Sequence, residues 1–280
     1  MTIAEAYKAG LKLLNDCNID DAMFECSCLF EHCFGYDKIK RVTHSDDTAD
    51  GQAFSSFLSC IKRRTDGEPL QYILGKWQFY GFDFFVGEGV LIPRPETELL
   101  VQEADEYIKN SGKKCIVYDL CAGSGAIGLT LAKLHSECDI FLFEKYDEAL
   151  CYLKKNKEHL NTQNAEVIAY DIFNGFCESL PKPDLIVSNP PYIAENEIKS
   201  LQSEVLREPH TALDGGKDGL DFYRCLYEKW YGTVNKDGCM LLECGDAQSE
   251  EIKSIFSSCN GQISVLYDFN NIDRAVKINV

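Results

Sequence analysis

Apolar residues recur at helical spacing through the first sixty residues, and this periodicity predicts a helical amino-terminal module. The first apolar stripe runs through Ala6, Leu11 and Leu14. A second helix is predicted over residues 22–34, because a pair of aspartates precedes it and Gly35 follows it. A third helix is expected after Asp50, with positions at core spacing in Phe54, Phe57, Leu58 and Ile61. We interpret this aromatic stripe as core rather than as a groove for a partner.

Aromatic residues then come close to strict alternation, which predicts a β-hairpin over residues 75–90. The alternating positions are Trp77, Phe79, Phe82, Phe84 and Val86 around a turn at Gly81. The expected organisation is therefore a helical domain over residues 1–74, a linking hairpin over residues 75–93 and a larger domain over residues 94–280.

Strand-like and helix-like segments alternate from Pro95 onward. This alternation predicts an α/β domain with a mostly parallel sheet that is covered on both faces. Strands are predicted at residues 114–120, 138–144, 165–170, 185–188, 238–244, 263–269 and 275–280, with a helix at residues 248–257. Ligands bind such sheets at the carboxyl ends of the strands, so candidate chemistry is expected there.

The strand predicted at residues 114–120 leads directly into a glycine-rich loop, Cys121-Ala122-Gly123-Ser124-Gly125-Ala126-Ile127-Gly128. Glycines in a Gly-x-Gly-x-x-Gly arrangement allow a tight turn and a close approach of the backbone to a ligand. Such a loop can hold either a pyrophosphate or an adenosyl amino acid. Asp119 favours the second ligand, because a carboxylate attracts a sulfonium or ammonium group and repels a diphosphate.

Two more acids stand at the ends of the next predicted strands. Glu144 follows the glycine loop by about 20 residues, the usual distance for a carboxylate that binds ribose hydroxyls. Asp171 follows the third strand, where its carboxylate can accept a hydrogen bond from the exocyclic amine of adenine. Each acid taken singly is also typical of a solvated loop charge, but acids at three successive strand ends predict one ligand crevice.

The fourth strand, residues 185–188, ends at Asn189-Pro190-Pro191-Tyr192. A side-chain amide, two stiff prolines and an aromatic ring at a strand end can hold a planar amine or amide. The alternative is an Asn-Pro turn that only terminates the strand. The four residues alone leave both interpretations open.

A long connection follows this motif, over residues 194–219, and its length favours a functional loop over a plain linker. Its charged residues Glu204, Arg207 and Glu208 are candidates for framing a substrate entrance. The alternative is that they are solvated loop charges.

The glycine loop, the acids and the Asn-Pro-Pro-Tyr motif together resemble the signature set of class I S-adenosylmethionine-dependent methyltransferases that act on an amide or amino nitrogen. Three further segments point to one family within this class. They are residues 68–75, 91–98 and 207–216, which closely resemble the HemK family of release-factor glutamine methyltransferases. The similarity spans nearly the whole chain, although Cys121-Ala122 replaces the Gly-Thr often found in the family's loop. It implies a Rossmann-like, mostly parallel seven-stranded sheet with a small N-terminal helical domain and a linking β-hairpin.

The resemblance also implies an activity. A methyl group would pass from S-adenosylmethionine to the side-chain amide nitrogen of the glutamine in the Gly-Gly-Gln (GGQ) motif of class I peptide chain release factors, giving N5-methylglutamine. The N-terminal helical domain would recognise the release factor. Two alternatives stay open: an N6-adenine methyltransferase acting on DNA or RNA, and a binding module that keeps the fold without turnover.

The site residues that the resemblance implies form overlapping sets. The predicted cofactor-binding residues are Asp119, Cys121, Ala122, Gly123, Gly125, Ile127, Glu144, Lys145, Asp171, Ile172 and Asn189. The predicted substrate-binding residues are Asn189, Pro190, Pro191, Tyr192, Arg94 and Glu96, of which Asn189, Pro190 and Tyr192 are predicted to be catalytic. In the hypothesis, the Asn189 side-chain oxygen and the Pro190 carbonyl accept the two amide hydrogens of the glutamine and aim its nitrogen at the methyl group.

The net charge of the chain limits which classes of molecule it is expected to bind. The chain has 28 Lys and Arg against 45 Asp and Glu, a net charge of −17, and such a surface repels a polyanion. A direct nucleic-acid substrate is therefore not expected. The sequence has no run of 18 or more apolar residues and no basic start before an apolar core, so we expect a cytoplasmic protein without membrane contact. We also expect a monomer.

The fourteen cysteines are dispersed through helix-like and strand-like segments, and most are expected to be small buried hydrophobes. The tightest group, Cys26, Cys28 and Cys33 with His32, lies on a predicted helix, where residues two apart face different sides. No metal site is therefore predicted. Neither a His-Glu-x-x-His pair nor a Gly-x-Ser-x-Gly turn is present, so hydrolytic chemistry has no support in the sequence.

Overall fold

The structure, a computed structural model, describes residues 1–259, 261–268 and 270–280, and the chain divides into two units. The helical unit contains Met1–Lys76 together with Gln202–Arg207. The sheet unit contains Trp77–Leu201 together with Glu208–Val280. The three-part division predicted at residues 74 and 93 stays a prediction.

The helical unit is built from α1 (Ile3–Asp16), α2 (Ala22–Phe34), α3 (Lys38–Thr43), α4 (Gly51–Thr65) and α5 (Leu70–Leu74). The predicted helices are confirmed in α1, α2 and α4. The short helices α3 and α5 were missed, because six or fewer residues carry too little periodicity to recognise. Helix α1 begins with a capping box, in which Thr2 and Glu5 each accept a hydrogen bond from the backbone N–H of the other.

Phe57 of α4 lies at the centre of the helical core and is fully buried. Its ring packs edge-on against Phe30 of α2, with ring centroids 5.2 Å apart. A Cβ atom at Gly10 of α1 would lie 2.3 Å from Cζ of Phe57, so α1 reaches this ring only because residue 10 has no side chain. Ile61, on the same stripe of α4, is also buried, whereas Phe54 and Leu58 are half-buried. The prediction that the stripe is core is confirmed at Phe57 and Ile61.

Arg64 carries a buried charge in the helical unit, since only 2% of the residue is exposed. It pairs with Glu25 of α2 and with Glu204 of the segment Gln202–Arg207. Arg207 of the same segment donates a hydrogen bond to the carbonyl of Asp66 at 3.0 Å. Glu204 and Arg207 therefore bind their segment to the rest of the helical unit, although both side chains remain partly exposed to solvent.

A β-hairpin of β1 (Lys76–Phe79) and β2 (Phe82–Phe85) follows, and all of it except Lys76 belongs to the sheet unit. Tyr80 and Gly81 form its turn with φ angles of 50° and 80°, a left-handed conformation that suits a two-residue hairpin. The hairpin is shorter than the predicted 75–90, because the chain after Phe85 is irregular up to Arg94.

Within the described residues, the second sheet contains β3 (Ile116–Leu120), β4 (Asp139–Glu144), β5 (Ala165–Ala169), β6 (Leu185–Ser188), β7 (Cys239–Glu243), β8 (Ile263–Tyr267) and β9 (Asp273–Asn279). Their order across the sheet is β5-β4-β3-β6-β7-β9-β8, and β9 is antiparallel to both of its neighbours. The remaining pairs are parallel. The predicted Rossmann-like, mostly parallel seven-stranded sheet is confirmed.

Helices cover both faces of this sheet, which explains why β6 and β7 are buried along their whole length. The helices are α6 (Glu98–Ser111), α7 (Ala126–Leu134), α8 (Asp147–Leu160), α9 (Asp221–Cys225), which continues as a π-helical turn over Leu226–Trp230, and α10 (Ser249–Ile255). Residues of α6, α7 and α8 pack on one face, and Tyr223, Trp230 and Ile252 pack on the other.

The strand order reverses between β3 and β6, and ligands bind at such a reversal. Leu120 at the end of β3 pairs with Ser188 of β6, and Ser188 pairs with Leu242 of β7. The residues that follow these three strand positions therefore emerge side by side at one edge of the sheet.

The ends of the chain's last elements differ by a few residues from the predictions. The strand predicted at residues 263–269 ends at Tyr267, and Phe269 lies outside the described residues. The last strand begins at Asp273 rather than at residue 275, and α10 is shorter than the predicted 248–257. Within the described residues, no helix is both long and apolar enough to cross a membrane.

All fourteen cysteines lie in the described part of the chain and are free thiols. Half of them are buried, whereas Cys17 and Cys151 are exposed. Cys26 is buried in α2, and the sulfur of Cys33 lies 3.8 Å from that of Cys60 on α4. Among the described residues, no group of three or more metal-binding side chains comes together.

Replacing Arg64 with Ala is expected to destabilise the protein. The substitution leaves the Glu25 carboxylate, whose side chain is 14% exposed, without its charged partner. We expect a loss of about 3 kcal/mol in the free energy of unfolding, because an unpaired charge stays in a mostly buried place. Equilibrium unfolding in urea measures this loss.

Lys62→Ala on the same helix is the matched control, since Lys62 and Asp66 form an ion pair whose side chains are 76% and 63% exposed. Removing such a pair is expected to change stability by less than about 1 kcal/mol. An Arg64→Ala protein that unfolds at the same urea concentration as the Lys62→Ala protein would contradict this account of the buried arginine.

Candidate active site

The glycine loop leaves β3 in a left-handed conformation, with φ angles of 64° at Cys121, 55° at Gly123 and 83° at Gly125. A Cβ at Gly125 would lie 2.4 Å from Cδ1 of Leu153, and a Cβ at Gly128 would lie 2.8 Å from Oδ2 of Asp119. Residues with side chains cannot occupy these two positions without moving their neighbours. The absence of side chains at these two positions therefore lets the start of α7 pack closely against Asp119 and Leu153.

Asp119 lies beneath this loop and is 1% exposed. Its Oδ2 accepts a hydrogen bond from the backbone N–H of Gly128 at 2.8 Å, whereas Oδ1 has no hydrogen-bond partner among the described residues. Burial raises the pKa of the carboxyl to about 7, and the Gly128 hydrogen bond only partly opposes this. Asp119 thus holds the start of α7 in place.

Glu144 ends β4 and is 7% exposed. One of its oxygens accepts from the N–H of Gly123 at 2.9 Å, and the other accepts from the N–H groups of Lys145 and Tyr146 at 2.7 and 2.9 Å. The carboxylate therefore joins the glycine loop to the chain that follows β4. A carboxylate offers about four acceptor positions, so these contacts leave room for one further donor.

Asp171 follows β5 and keeps its negative charge. Burial acts to raise the pKa of its carboxyl, but hydrogen bonds from the Phe173 N–H and the Lys145 ammonium outweigh this, and the pKa lies below its usual range. The distances are 2.9 Å to Phe173 N and 3.0 Å to Lys145 Nζ. Glu144 and Asp171 thus stand as acceptors at neighbouring strand ends.

Asn189 follows β6, where the Ser188 hydroxyl donates a hydrogen bond to the carbonyl of Leu120 at 2.6 Å. The Asn189 Nδ2 donates to the hydroxyl oxygen of Thr97 at 3.2 Å. Because the nitrogen of the amide is used in this way, the side-chain oxygen is the atom left to face a ligand.

Arg94 is held in place by a carboxylate. It forms an ion pair with Glu208, whose side chain is 2% exposed and also accepts from the N–H of Ile92 at 3.0 Å. Glu208 is therefore not a solvated loop charge. It fixes the segment before α6 instead.

Tyr192 lies on the far side of its motif, packed against glycines. A Cβ at Gly219 would lie 2.4 Å from the Tyr192 carbonyl oxygen, and the same oxygen accepts from Gln248 Nε2 at 2.9 Å. Burial raises the pKa of the Tyr192 hydroxyl well above its usual range. Its surroundings support the backbone of the motif.

A single cavity of about 1030 Å³, which opens to solvent, brings many predicted residues together. Those that line it are Cys121, Ala122, Gly123, Ile127, Glu144, Lys145, Asp171, Ile172, Asn189, Pro191 and Arg94. Among the described residues, Asp119, Gly125, Pro190, Tyr192 and Glu96 do not belong to this lining.

Several residues that line the cavity were not predicted from the sequence. Thr97, Tyr146, Phe173 and Phe222 are among them. Tyr146 and Phe173 each lie two residues after a predicted acid, Glu144 or Asp171. Their closeness in sequence to these acids could have identified them as lining residues. Thr97 and Phe222 carried no such signal, because only the folded chain brings them to the strand ends.

Two family descriptions match parts of the chain. Residues 5–75 match the PrmC N-terminal domain, and residues 95–218 match the Methyltransferase small domain. Among solved structures, the chain is similar to the hMettl16 catalytic domain in complex with a MAT2A 3′UTR hairpin (TM-score 0.55, 16% identity, 84% of this chain and 83% of that chain). It is also similar to a methyltransferase from Pyrococcus furiosus (TM-score 0.51, 17% identity, 72% and 90%). These two likenesses show the fold.

Curated relatives match over nearly the full length. A release factor glutamine methyltransferase from Thermodesulfovibrio yellowstonii is 39% identical over 88% of this chain and 88% of the relative. One from Clostridium acetobutylicum is 34% identical over 99% of this chain and 98% of the relative. The chain belongs to the family of these release factor glutamine methyltransferases, as the resemblance of its motifs predicted.

Proposed function

We propose that this protein transfers a methyl group from S-adenosylmethionine to the side-chain amide nitrogen of a glutamine in a class I peptide chain release factor. The glutamine is that of the GGQ motif, and the product is N5-methylglutamine. The observation that carries the proposal is the placement of Asn189 in the lining of the same cavity as Glu144 and Asp171. The acids proposed to bind the cofactor and the amide proposed to hold the glutamine therefore line one cavity.

The donor set of the cavity fits S-adenosylmethionine. Glu144 has one acceptor position left for a ribose hydroxyl, and Asp171 stays ionised and can accept from the adenine amine. Carboxylates on this wall would repel a diphosphate and tolerate a sulfonium. Ile172 and Phe173 add apolar surface to the same lining.

The cofactor supplies a methyl group on a positively charged sulfur, and the protein's task is to present a nitrogen to it. A glutamine amide nitrogen is a poor nucleophile, because its lone pair is delocalised into the carbonyl. In our proposal the Asn189 Oδ1 and the Pro190 carbonyl accept the two N–H groups of the glutamine. This holds the nitrogen in line and favours the positive charge that grows on it.

In this proposal Tyr192 and Asp119 do not contact the reacting atoms, and instead they hold the neighbouring backbone in place. Tyr192 fixes the backbone that follows the prolines through the Gln248 hydrogen bond to its carbonyl. Asp119 fixes the glycine loop through Gly128. Both residues were predicted to contact ligands, and their hydrogen bonds with Gln248 and Gly128 favour a supporting role instead.

We further propose that the helical unit recognises the release factor, and that the protein acts as a monomer in the cytoplasm. The match of residues 5–75 to the PrmC N-terminal domain supports a dedicated module. A protein partner could bury the large apolar side chains that are exposed on this unit. They include Met23, Phe24, Ile39 and Val42. The net charge of −17 favours a protein with a basic face over a nucleic acid.

The substrate assignment is tested by transfer of a labelled methyl group. Purified release factor, its GGQ→GGA variant and a mixture of DNA and RNA are offered in parallel. We expect label on the unmodified release factor and none on the other two. Label on nucleic acid alone would overturn the protein substrate and favour adenine methylation.

Asn189→Ala should lower the single-turnover rate by about a hundredfold or more, because it removes one of the acceptors that orient the glutamine amide. The dissociation constant of the cofactor, measured by calorimetry, should stay close to that of the wild type. Equal losses in rate and in cofactor affinity would argue against an orienting role.

Asp171→Asn should show the opposite pattern. Loss of a charged acceptor is expected to weaken cofactor binding about tenfold. Saturating cofactor should then restore most of the lost turnover. A variant that binds the cofactor normally but turns over slowly would contradict the adenine role of Asp171.

A further inference from the structure

Glu243 is a buried acid at the strand ends that the proposed mechanism does not use. It ends β7, next to Asn189 in the parallel sheet, and is 3% exposed. Its Oε2 has no hydrogen-bond partner among the described residues. Burying a carboxyl with an unsatisfied oxygen lowers stability, so its presence here needs an explanation.

Thr97 connects this acid to the proposed catalytic amide. The residue ends a short 3-10 turn before α6, lines the cavity and is 3% exposed. Its hydroxyl oxygen accepts from Asn189 Nδ2 at 3.2 Å. The Thr97 side chain also acts to lower the pKa of the Glu243 carboxyl, which places its hydroxyl toward that acid. The three side chains form a continuous chain from a buried carboxyl to the wall of the cavity.

The direction of these hydrogen bonds follows from the chemistry of the groups. An ionised carboxylate can only accept, so the single hydroxyl proton of Thr97 points toward Glu243. The Thr97 oxygen can then only accept from Asn189, which selects the NH₂ end of the Asn189 amide. The Asn189 Oδ1 is consequently turned away from Thr97.

We propose that Thr97 and Glu243 are positioning residues that fix the Asn189 amide with its oxygen toward the substrate nitrogen. This inference rests on the proposed function and adds two residues to its machinery. An Asn189 amide without this chain can rotate by half a turn and offer its NH₂ group, which would repel the N–H groups of a glutamine.

The environment of Glu243 makes the chain sensitive to pH. The charged and titratable groups around it are Glu96, Arg94, Arg274, Tyr192, Tyr223 and Cys244. Burial raises the pKa of the Glu243 carboxyl to about 7, against the opposing effects of the Thr97 hydrogen bond and the two arginines. A protonated Glu243 can donate a hydrogen bond to the Thr97 oxygen. The Thr97 hydroxyl proton is then free to point elsewhere, and Thr97 no longer selects the NH₂ end of the Asn189 amide.

The first test compares Thr97→Val with Thr97→Ser. Valine keeps the shape of threonine and removes the hydroxyl, so kcat should fall about tenfold or more while the cofactor dissociation constant stays the same. Serine restores the hydroxyl and should recover the turnover lost in the valine variant. Equal turnover of Thr97→Val and wild type would overturn the proposal.

The second test uses Glu243→Gln, which imitates the protonated acid at every pH. At about pH 8 its kcat should fall well below that of the wild type, and the ratio of the two should approach one near pH 6. Asp119 titrates in the same range but is present in both proteins, so the ratio removes its contribution. A ratio that does not change with pH would overturn the role assigned to the carboxylate.

Stability separates positioning from a structural role. Above pH 7 the wild type carries a buried charge that the variant lacks, so Glu243→Gln should melt a few degrees higher at about pH 8. A residue that only holds the fold together would lower turnover by lowering stability. Lower turnover with a higher melting temperature therefore supports the proposal, and a parallel loss of both overturns it.

The outcomes distinguish this inference from the function on which it rests. A wild type that methylates no release factor would overturn the proposed function together with the inference. A wild type that methylates the GGQ glutamine, with Thr97→Val and Glu243→Gln equally active, would overturn the inference alone.

Discussion

The parallel register of β3, β6 and β7 is the constraint on which the site depends. It aligns Leu120, Ser188 and Leu242, so the residues that follow them emerge together at one edge. The glycine loop, the Asn-Pro-Pro-Tyr motif and Glu243 come from distant parts of the chain and meet only because the strands end level. The Ser188 hydroxyl, which bonds to the Leu120 carbonyl, secures this alignment at the point where the strand order reverses.

Two buried carboxyls at this edge oppose stability. Asp119 and Glu243 each keep one oxygen without a hydrogen-bond partner within the described chain, and burial raises the pKa of each to about 7. Both hold a proton more tightly in the folded than in the unfolded protein. Their ionisation therefore costs no stability below the ordinary carboxyl pKa, and the cost is complete once the pH has risen through about 7. Retaining these two buried carboxyls lowers the stability of the fold, but it places hydrogen-bond acceptors at the edge of the sheet where the site lies.

Local signals allowed much of the site to be predicted from the sequence. Glu144, Asp171 and Asn189 each end a short apolar run, and the glycine loop follows one, so strand and turn patterns located them. Thr97 and Glu243 were missed, because their importance depends on which strands become neighbours, and no local pattern encodes that. The hairpin and the last strands differ by a few residues for a related reason: tertiary packing decides where a strand stops.

The most direct test of the account is a crystal structure of the protein with S-adenosylhomocysteine and a release factor that carries the GGQ motif. The decisive quantity is the distance from Asn189 Oδ1 to the side-chain nitrogen of the glutamine. We expect a hydrogen bond of about 2.9 Å there, with Asn189 Nδ2 still donating to the Thr97 hydroxyl. A glutamine bound with its carbonyl oxygen toward Asn189, or held elsewhere in the cavity, would contradict it.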